Sequence, residues 1–229
     1  TSTNAIQTAI NRCYLHGGGT VYIPAGKYLT GTVILKDNVT LYVDSGATLF
    51  ASRNIQDYIA PLKDATRPVL IYSNGAKNVS IKGKGIIHGQ AKRTYEDLRR
   101  IDPYITEITE HARAAGVEMK RYYPVKPDVS MIIFYDCQNI RIEDISLIES
   151  SFWTLQFVLC SDVNINRVKI ESSLEQGVNS DGIDVNSSRN FHISNCIIRT
   201  GDDAIAIKTR YPDPCENILV ENCKLSSSS

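Results

Sequence analysis

Asn139-Ile140-Arg141-Ile142-Glu143-Asp144-Ile145 decides the fold, because the chain writes it again. Asp162-Val163-Asn164-Ile165-Asn166-Arg167-Val168 follows, then Asn190-Phe191-His192-Ile193-Ser194-Asn195-Cys196 and Asn217-Ile218-Leu219-Val220-Glu221-Asn222-Cys223. Weaker copies precede them at Asn38-Val39-Thr40-Leu41-Tyr42-Val43 and Asn78-Val79-Ser80-Ile81-Lys82-Gly83. Each copy alternates apolar and polar residues, the period of a strand with one buried face. Such strands recurring every ~20–30 residues, each led by a turn residue, describe a solenoid. The regular leucine frame of a horseshoe repeat is missing, and propeller blades need ~40 residues or more. The crossovers are too short for units with a full helix between parallel strands. What remains is an all-β parallel β-helix with about one repeat per coil. Neighbouring strands would lie ~4.8 Å apart, and the leading asparagines would form a ladder bonding the turn backbone.

Composition narrows the functional classes. The 229 residues carry 25 basic and 25 acidic side chains, a formal net charge of zero. That balance gives no broad basic field, so neither nucleic acid nor anionic membrane is expected as the main partner. A hydrophobic fraction of 42% fits a soluble globular chain. No run approaches the ~18 apolar residues of a membrane helix, and no signal peptide is visible. The 28 isoleucines lean towards β-structure. Six cysteines contain no CxxC pair, which argues against zinc. They read as small buried hydrophobes, with Cys215–Cys223 the one disulfide worth considering.

Two segments leave the strand pattern. Residues 4–15 place Ala5, Ile6, Ala9, Ile10 and Cys13 at helical spacing, and Gly17-Gly18-Gly19 ends the run. This helix is expected to cap the open end of the core. Residues 94–118 read as a second helix with Leu98, Ile101, Ile105 and Ile108 as one stripe, interrupted or restarted by Pro103. It belongs to a helical insertion over 92–128, within a single domain spanning 1–229.

Chemistry concentrates in Asn179-Ser180-Asp181-Gly182-Ile183-Asp184-Val185 and Gly201-Asp202-Asp203-Ala204-Ile205-Ala206-Ile207-Lys208. Aligned on their apolar positions, Ile183 falls on Ile205 and Asp181 on Asp203. One coil of separation puts those two carboxylates side by side, on the order of 5 Å apart, with Asp202 adjacent. Like charges so close raise at least one pKa, and an acid protonated beside ionised partners is what glycosidic cleavage needs. An Asp turn ladder or a calcium site are the other readings of the cluster. By parity Asp184, Asn186, Ala206 and Lys208 face solvent while Ile183, Val185, Ile205 and Ile207 face the core. One coil back, Leu155 and Phe157 point inward, Thr154 and Gln156 outward. Gln156, Asp184 and Lys208 would then share a polar groove with the cluster, where Lys208 and Arg210 meet an anionic sugar. His16, His88, His111 and His192 read as structural or exposed residues.

At these residues the sequence resembles glycoside hydrolase family 28, the polygalacturonase family. Asn179-Ser180-Asp181-Gly182 resembles its Asn-Thr-Asp-Gly motif and Gly201-Asp202-Asp203 its Gly-Asp-Asp motif. Ser151-Phe152-Trp153-Thr154 resembles its preceding coil, and Gly17 to Tyr28 its first coil. The resemblance implies a right-handed parallel β-helix and an inverting hydrolase of pectic polysaccharide, polygalacturonan or rhamnogalacturonan. It implies Asp202 as general acid, Asp181 and Asp203 as the groups that activate water, and no metal or cofactor. Asn179 joins Gln156, Asp184, Lys208 and Arg210 as expected substrate contacts. The protein is expected to be a monomer, secreted or periplasmic. The family's Gly-His-Gly motif one coil after Gly-Asp-Asp, and the Arg-x-Lys motif that comes after it, do not follow Asp203 in these 229 residues, so the chain reads as a fragment lacking C-terminal coils and a short N-terminal piece. Two other functions stay open: a calcium-dependent β-helix lyase or epimerase with Lys208 or Arg210 as base, and a non-catalytic carbohydrate-binding solenoid.

Overall fold

The computed structural model describes residues 1–60, 67–97, 102–119, 122–125 and 127–228. Helix α1 (Thr3–Leu15) comes first, and then the chain winds through three parallel sheets in turn. The first sheet stacks seven strands, Gly19–Ile23, Val39–Val43, Lys77–Lys82, Gln138–Glu143, Ser161–Asn166, Arg189–Ser194 and Glu216–Glu221. A third sheet of seven runs from Gly26–Thr30 to Lys224–Ser227. Between them in each coil lies a six-stranded sheet, here called the site sheet: Val33–Ile34, Val69–Asn74, Ser130–Tyr135, Leu155–Val158, Ile183–Asn186 and Ile205–Lys208. The architecture is a right-handed parallel β-helix.

The repeats quoted above are successive strands of the first sheet, in the expected register: Ile140 pairs with Val163, Val163 with Phe191 and Phe191 with Ile218. Their inward residues form continuous columns. Ile140, Ile142, Ile165 and Ile193 are fully buried, each contributing ~1.5–3 kcal/mol by leaving water. Phe134 stacks on Phe157 with ring centres 5.5 Å apart, and Phe157 meets Phe191 edge-on at 5.2 Å.

The asparagine ladder exists, but its bonding differs from expectation. Asn38, Asn78, Asn139, Asp162, Asn190 and Asn217 all take φ between 52° and 59°. Each turns the chain through the left-handed region, which Asn and Asp tolerate better than other side chains. The side chains bond each other across coils rather than the turn backbone. Asn78 Nδ2 donates to Asn38 Oδ1 at 2.7 Å and Asn139 Nδ2 to Asn78 Oδ1 at 2.7 Å. Asn217 Nδ2 donates to Asn190 Oδ1 at 3.1 Å.

Helix α1 seats Ile6 and Ile10 in the core, while Ala5, placed by spacing in the same stripe, is exposed. The insertion is shorter in helix than the sequence suggested. Helix α2 spans Pro103–Ala114, with Asp102 as N-cap accepting from the Tyr104 amide and Pro103 in the first turn. Pro103 therefore starts the helix, as its fixed φ and missing N–H favour. Residues 95–97 are instead a strand, paired antiparallel with Tyr122–Pro124. Leu98 and Ile101 lie outside the described residues.

All six cysteines are free, Cys215 and Cys223 included. Cys137, Cys160 and Cys196 are buried as expected of small hydrophobes. Among the described residues no helix is long and apolar enough to cross a membrane. Ile205 and Ile207 point towards the core by parity, yet Ile207 is 57% exposed. They sit on the last strand of the site sheet, so no described strand covers them.

Candidate active site

The site sheet aligns its last three strands so that Leu155, Ile183 and Ile205 share one column and Gln156, Asp184 and Ala206 the next. Extending that register two residues back puts Trp153, Asp181 and Asp203 in one file. The backbone confirms it, since the Thr154 amide donates to Asp181 O at 2.9 Å and the Gly182 amide to Asp203 O at 2.8 Å. The carboxylate pair expected from the sequence is therefore brought together, with Asp202 one residue away.

Two glycines permit the approach. A Cβ on Gly182 would lie 2.4 Å from Ala204 O, and one on Gly201 would lie 2.2 Å from Ser173 O. Side chains at either place would force the two coils apart. Ser180 ties the same corner: its hydroxyl donates to Gly177 O at 2.9 Å and shares a 2.6 Å bond with the Ser172 hydroxyl. The Gly201 amide donates to Ser172 Oγ at 3.1 Å. The Asp202 carboxylate in turn accepts from the Asp203 amide at 3.1 Å.

The three carboxylates differ in environment. Asp181 is buried, Asp202 half-buried and Asp203 exposed. Burial pushes the Asp181 carboxyl above its usual range, the charges of Asp202 and Asp203 push it further, and Lys208 opposes both. Lys208 Nζ donates to Asp181 Oδ2 at 3.0 Å and also bonds Asp184 Oδ1. Asp184, expected on the solvent side of the groove, is fully buried, and its carboxyl is pushed up to about 7 by burial and by Asp181. Lys208 loses some basicity to burial but gains more from the two carboxylates, so its pKa ends above normal.

Asp184 stands outside the apolar columns, as parity predicts, but outward is not exposed here. Asn186, Ala206 and Thr154 are buried as well. Aromatic rings and cations pair near Lys208. Phe152 stacks on Trp153 at 5.0 Å, Lys208 Nζ stands 3.9 Å from the Trp153 ring centre and the Arg210 guanidinium 4.9 Å. Arg67 lies 3.8 Å from the Phe152 ring centre. Trp153 and Arg67 were not singled out from sequence as site residues; the cation–π contacts join positions far apart in the chain, so no local pattern announces them.

Of the expected substrate contacts, Gln156 is half-buried beside Asp184 and Asn179 half-buried in the turn before Asp181. Arg210 is exposed, its backbone amide held by Asn186 Oδ1 at 3.1 Å. Lys208 is engaged by two carboxylates. Elsewhere, His88 Nδ1 accepts from the Gln90 amide at 3.0 Å and His192 Nε2 meets Glu221 Oε1 at 2.7 Å, both outside the site.

The sequence and the fold are similar to those of known proteins. The sequence profile of the glycosyl hydrolases family 28 matches residues 13–228. A probable polygalacturonase of Vitis vinifera is 27% identical over 93% of this chain, and an exo-poly-alpha-D-galacturonosidase of Dickeya chrysanthemi is 27% identical over 89%. The chain spans 42% and 38% of the length of those two relatives. The structure of a polygalacturonase from Erwinia carotovora superposes with a TM-score of 0.75 at 26% identity, covering 97% of this chain and 59% of that one. With three parallel sheets, both aspartate motifs and a match along nearly its whole length, the chain belongs to glycosyl hydrolase family 28.

Proposed function

We propose that these coils carry the acid and base carboxylates of an inverting hydrolase of pectic polysaccharide. One observation carries the reading: three carboxylates from two successive coils converge on one corner, one buried, one half-buried and one exposed. In the proposed step a water oxygen attacks the anomeric carbon and the bond to the leaving oxygen breaks. Asp202 gives its proton to that oxygen, and Asp181 with Asp203 takes the proton the water loses. The exposed Arg210 is the group offered to a uronate carboxylate, since its guanidinium has no carboxylate partner among the described residues. Relatives named polygalacturonase and exo-poly-alpha-D-galacturonosidase support the substrate class. Pectic polymer lies outside the cell, so we place the protein there, secreted or periplasmic. Every group invoked comes from one chain, which suits a monomer.

The test is a digest of polygalacturonan and rhamnogalacturonan by the protein in its full encoded length, with Asp202→Asn beside it. New reducing ends without absorbance from unsaturated products are expected, reduced at least ~100-fold in the variant. Unsaturated products abolished by a chelator would instead make it a lyase. Binding without any cleavage would leave a carbohydrate-binding solenoid.

A further inference from the structure

Lys208 and Asp184 have no part in the acid–base scheme above, yet they are the most deeply engaged charges at the site. The Lys208 ammonium is held between two carboxylates, Asp181 Oδ2 at 3.0 Å and Asp184 Oδ1, with the Trp153 ring 3.9 Å away on a further side. Asp184 has no exposed surface, and its Oδ2 is buried with no hydrogen-bond partner among the described residues. Asp181 Oδ1 is likewise buried and unpartnered.

A structural role does not account for this. A buried ion pair costs several kcal/mol of desolvation per ion and is often no better than apolar residues of the same size. The column itself shows that charge is dispensable for packing, because the neighbours of Asp184 in register are Gln156 and Ala206. Substrate contact does not account for it either, since Asp184 touches no solvent. What Asp184 does meet is Asp181 and Lys208, and Lys208 bonds both carboxyl groups.

We propose that Asp184 and Lys208 are positioning residues, an Asp–Lys–Asp clamp that fixes the orientation and the charge of Asp181 as the water-activating base. This rests on Asp181 having that role. Lys208 supplies the counter-charge that lets a buried carboxylate stay ionised beside Asp202 and Asp203. Asp184 anchors the ammonium from below, so that Lys208 cannot swing to solvent. The charged groups facing Asp181 are Lys208, Asp184, Asp202 and Asp203, with Arg210 across the Trp153 ring and Arg67 across Phe152.

The two substitutions should act in opposite directions. Lys208→Met removes the counter-charge, so the Asp181 carboxyl should titrate about one unit higher or more. Asp184→Asn loosens the hold on Lys208 and leaves its ammonium to Asp181, so the same group should titrate lower. Lys208→Arg should return the midpoint towards that of the unmodified protein. The measurement is a carbon-13 NMR titration of side-chain-labelled aspartates in the full-length protein, with the Asp181 signal assigned by its loss in Asp181→Asn. It needs no substrate, so it stands even where no pectic polymer is cut. Where hydrolysis is seen, the acid limb of kcat/KM should move up in Lys208→Met and down in Asp184→Asn. Midpoints that stay put, or that move the same way in both variants, would overturn the clamp. A clamp that titrates as described in a protein that cuts nothing would refute the hydrolase reading and leave the clamp as a charge-setting device on a binding surface.

Discussion

Asn139 shows how one residue type does two jobs in each coil. Its backbone sits at φ 55° and its amide bonds Asn78 at 2.7 Å. Alanine removes both contributions: the left-handed backbone costs a residue with a plain Cβ ~1–2 kcal/mol, and the lost hydrogen bond about 1 kcal/mol more. Glycine removes the amide alone. Urea unfolding should find Asn139→Ala destabilised by about 2–3 kcal/mol and Asn139→Gly by clearly less; equal losses would mean that the left-handed turn is not what selects asparagine. The ladder was legible because the residue repeats. The turn conformation was less so, as Leu159 at φ 55° and Arg167 at φ 53° adopt it with no turn chemistry to announce them. The same contrast runs through the site. Asp181, Asp202 and Asp203 could be assembled from sequence because strand register is set by the apolar residues beside them. The burial of Asp184 could not, because alternation alone marks its face as solvent and its bond to Lys208 joins residues 24 apart in the chain.

Elements were legible where their period is local. The strands of the first sheet follow from alternation, and α1 (Thr3–Leu15) follows from its 3.6-residue spacing. The insertion was not, because its strand Tyr95–Asp97 exists only by pairing with Tyr122–Pro124, some 25 residues on. It leaves the solenoid between Ile86–His88 of the third sheet and Ser130–Tyr135 of the site sheet. That is the corner from which Asp181 and Asp202 project two and three coils later. The Tyr95 hydroxyl donates to Ser150 O at 3.2 Å and the Tyr122 hydroxyl to Glu175 Oε1 at 3.1 Å, so the hairpin leans on the loops that lead into the carboxylates. An extended polymer following that corner would meet it. Replacing residues 92–128 by a short turn should therefore shift the products of a pectic digest from the shortest sugars towards mid-length oligomers. Chain-length analysis by anion-exchange chromatography reads this directly. An unchanged distribution would place the hairpin outside the groove.

At the scale of the whole molecule, two sets of carboxylates set opposite pH dependences. On the outer faces, Asp144 is held below its usual range by its bonds to Arg167, and Asp162 by Asn190 and Gln138. Such groups add stability above the unfolded carboxylate pKa, and it is lost as pH falls through their lowered values. Asp144 is half-buried and Asp162 exposed, and solvent screening keeps the effect of each small. Asp184 works the other way. Its folded pKa of about 7 stands above the unfolded value of 3.8. The folded state therefore binds its proton more tightly, and the stability this provides is complete below about pH 4 and lost as pH rises through 7. A shift of that size corresponds to at most about 4 kcal/mol. The coil stack should then be most stable in mildly acid solution, where the outer carboxylates are ionised and Asp184 is protonated. Asp184→Asn removes the second dependence and leaves the first. Urea unfolding of the protein and the variant at pH 4.5 and 7.5 should show the variant gaining on the parent by 1–4 kcal/mol between the two. Parallel behaviour at both pH values would mean that Asp184 remains ionised throughout, held by Lys208 more tightly than its burial opposes it.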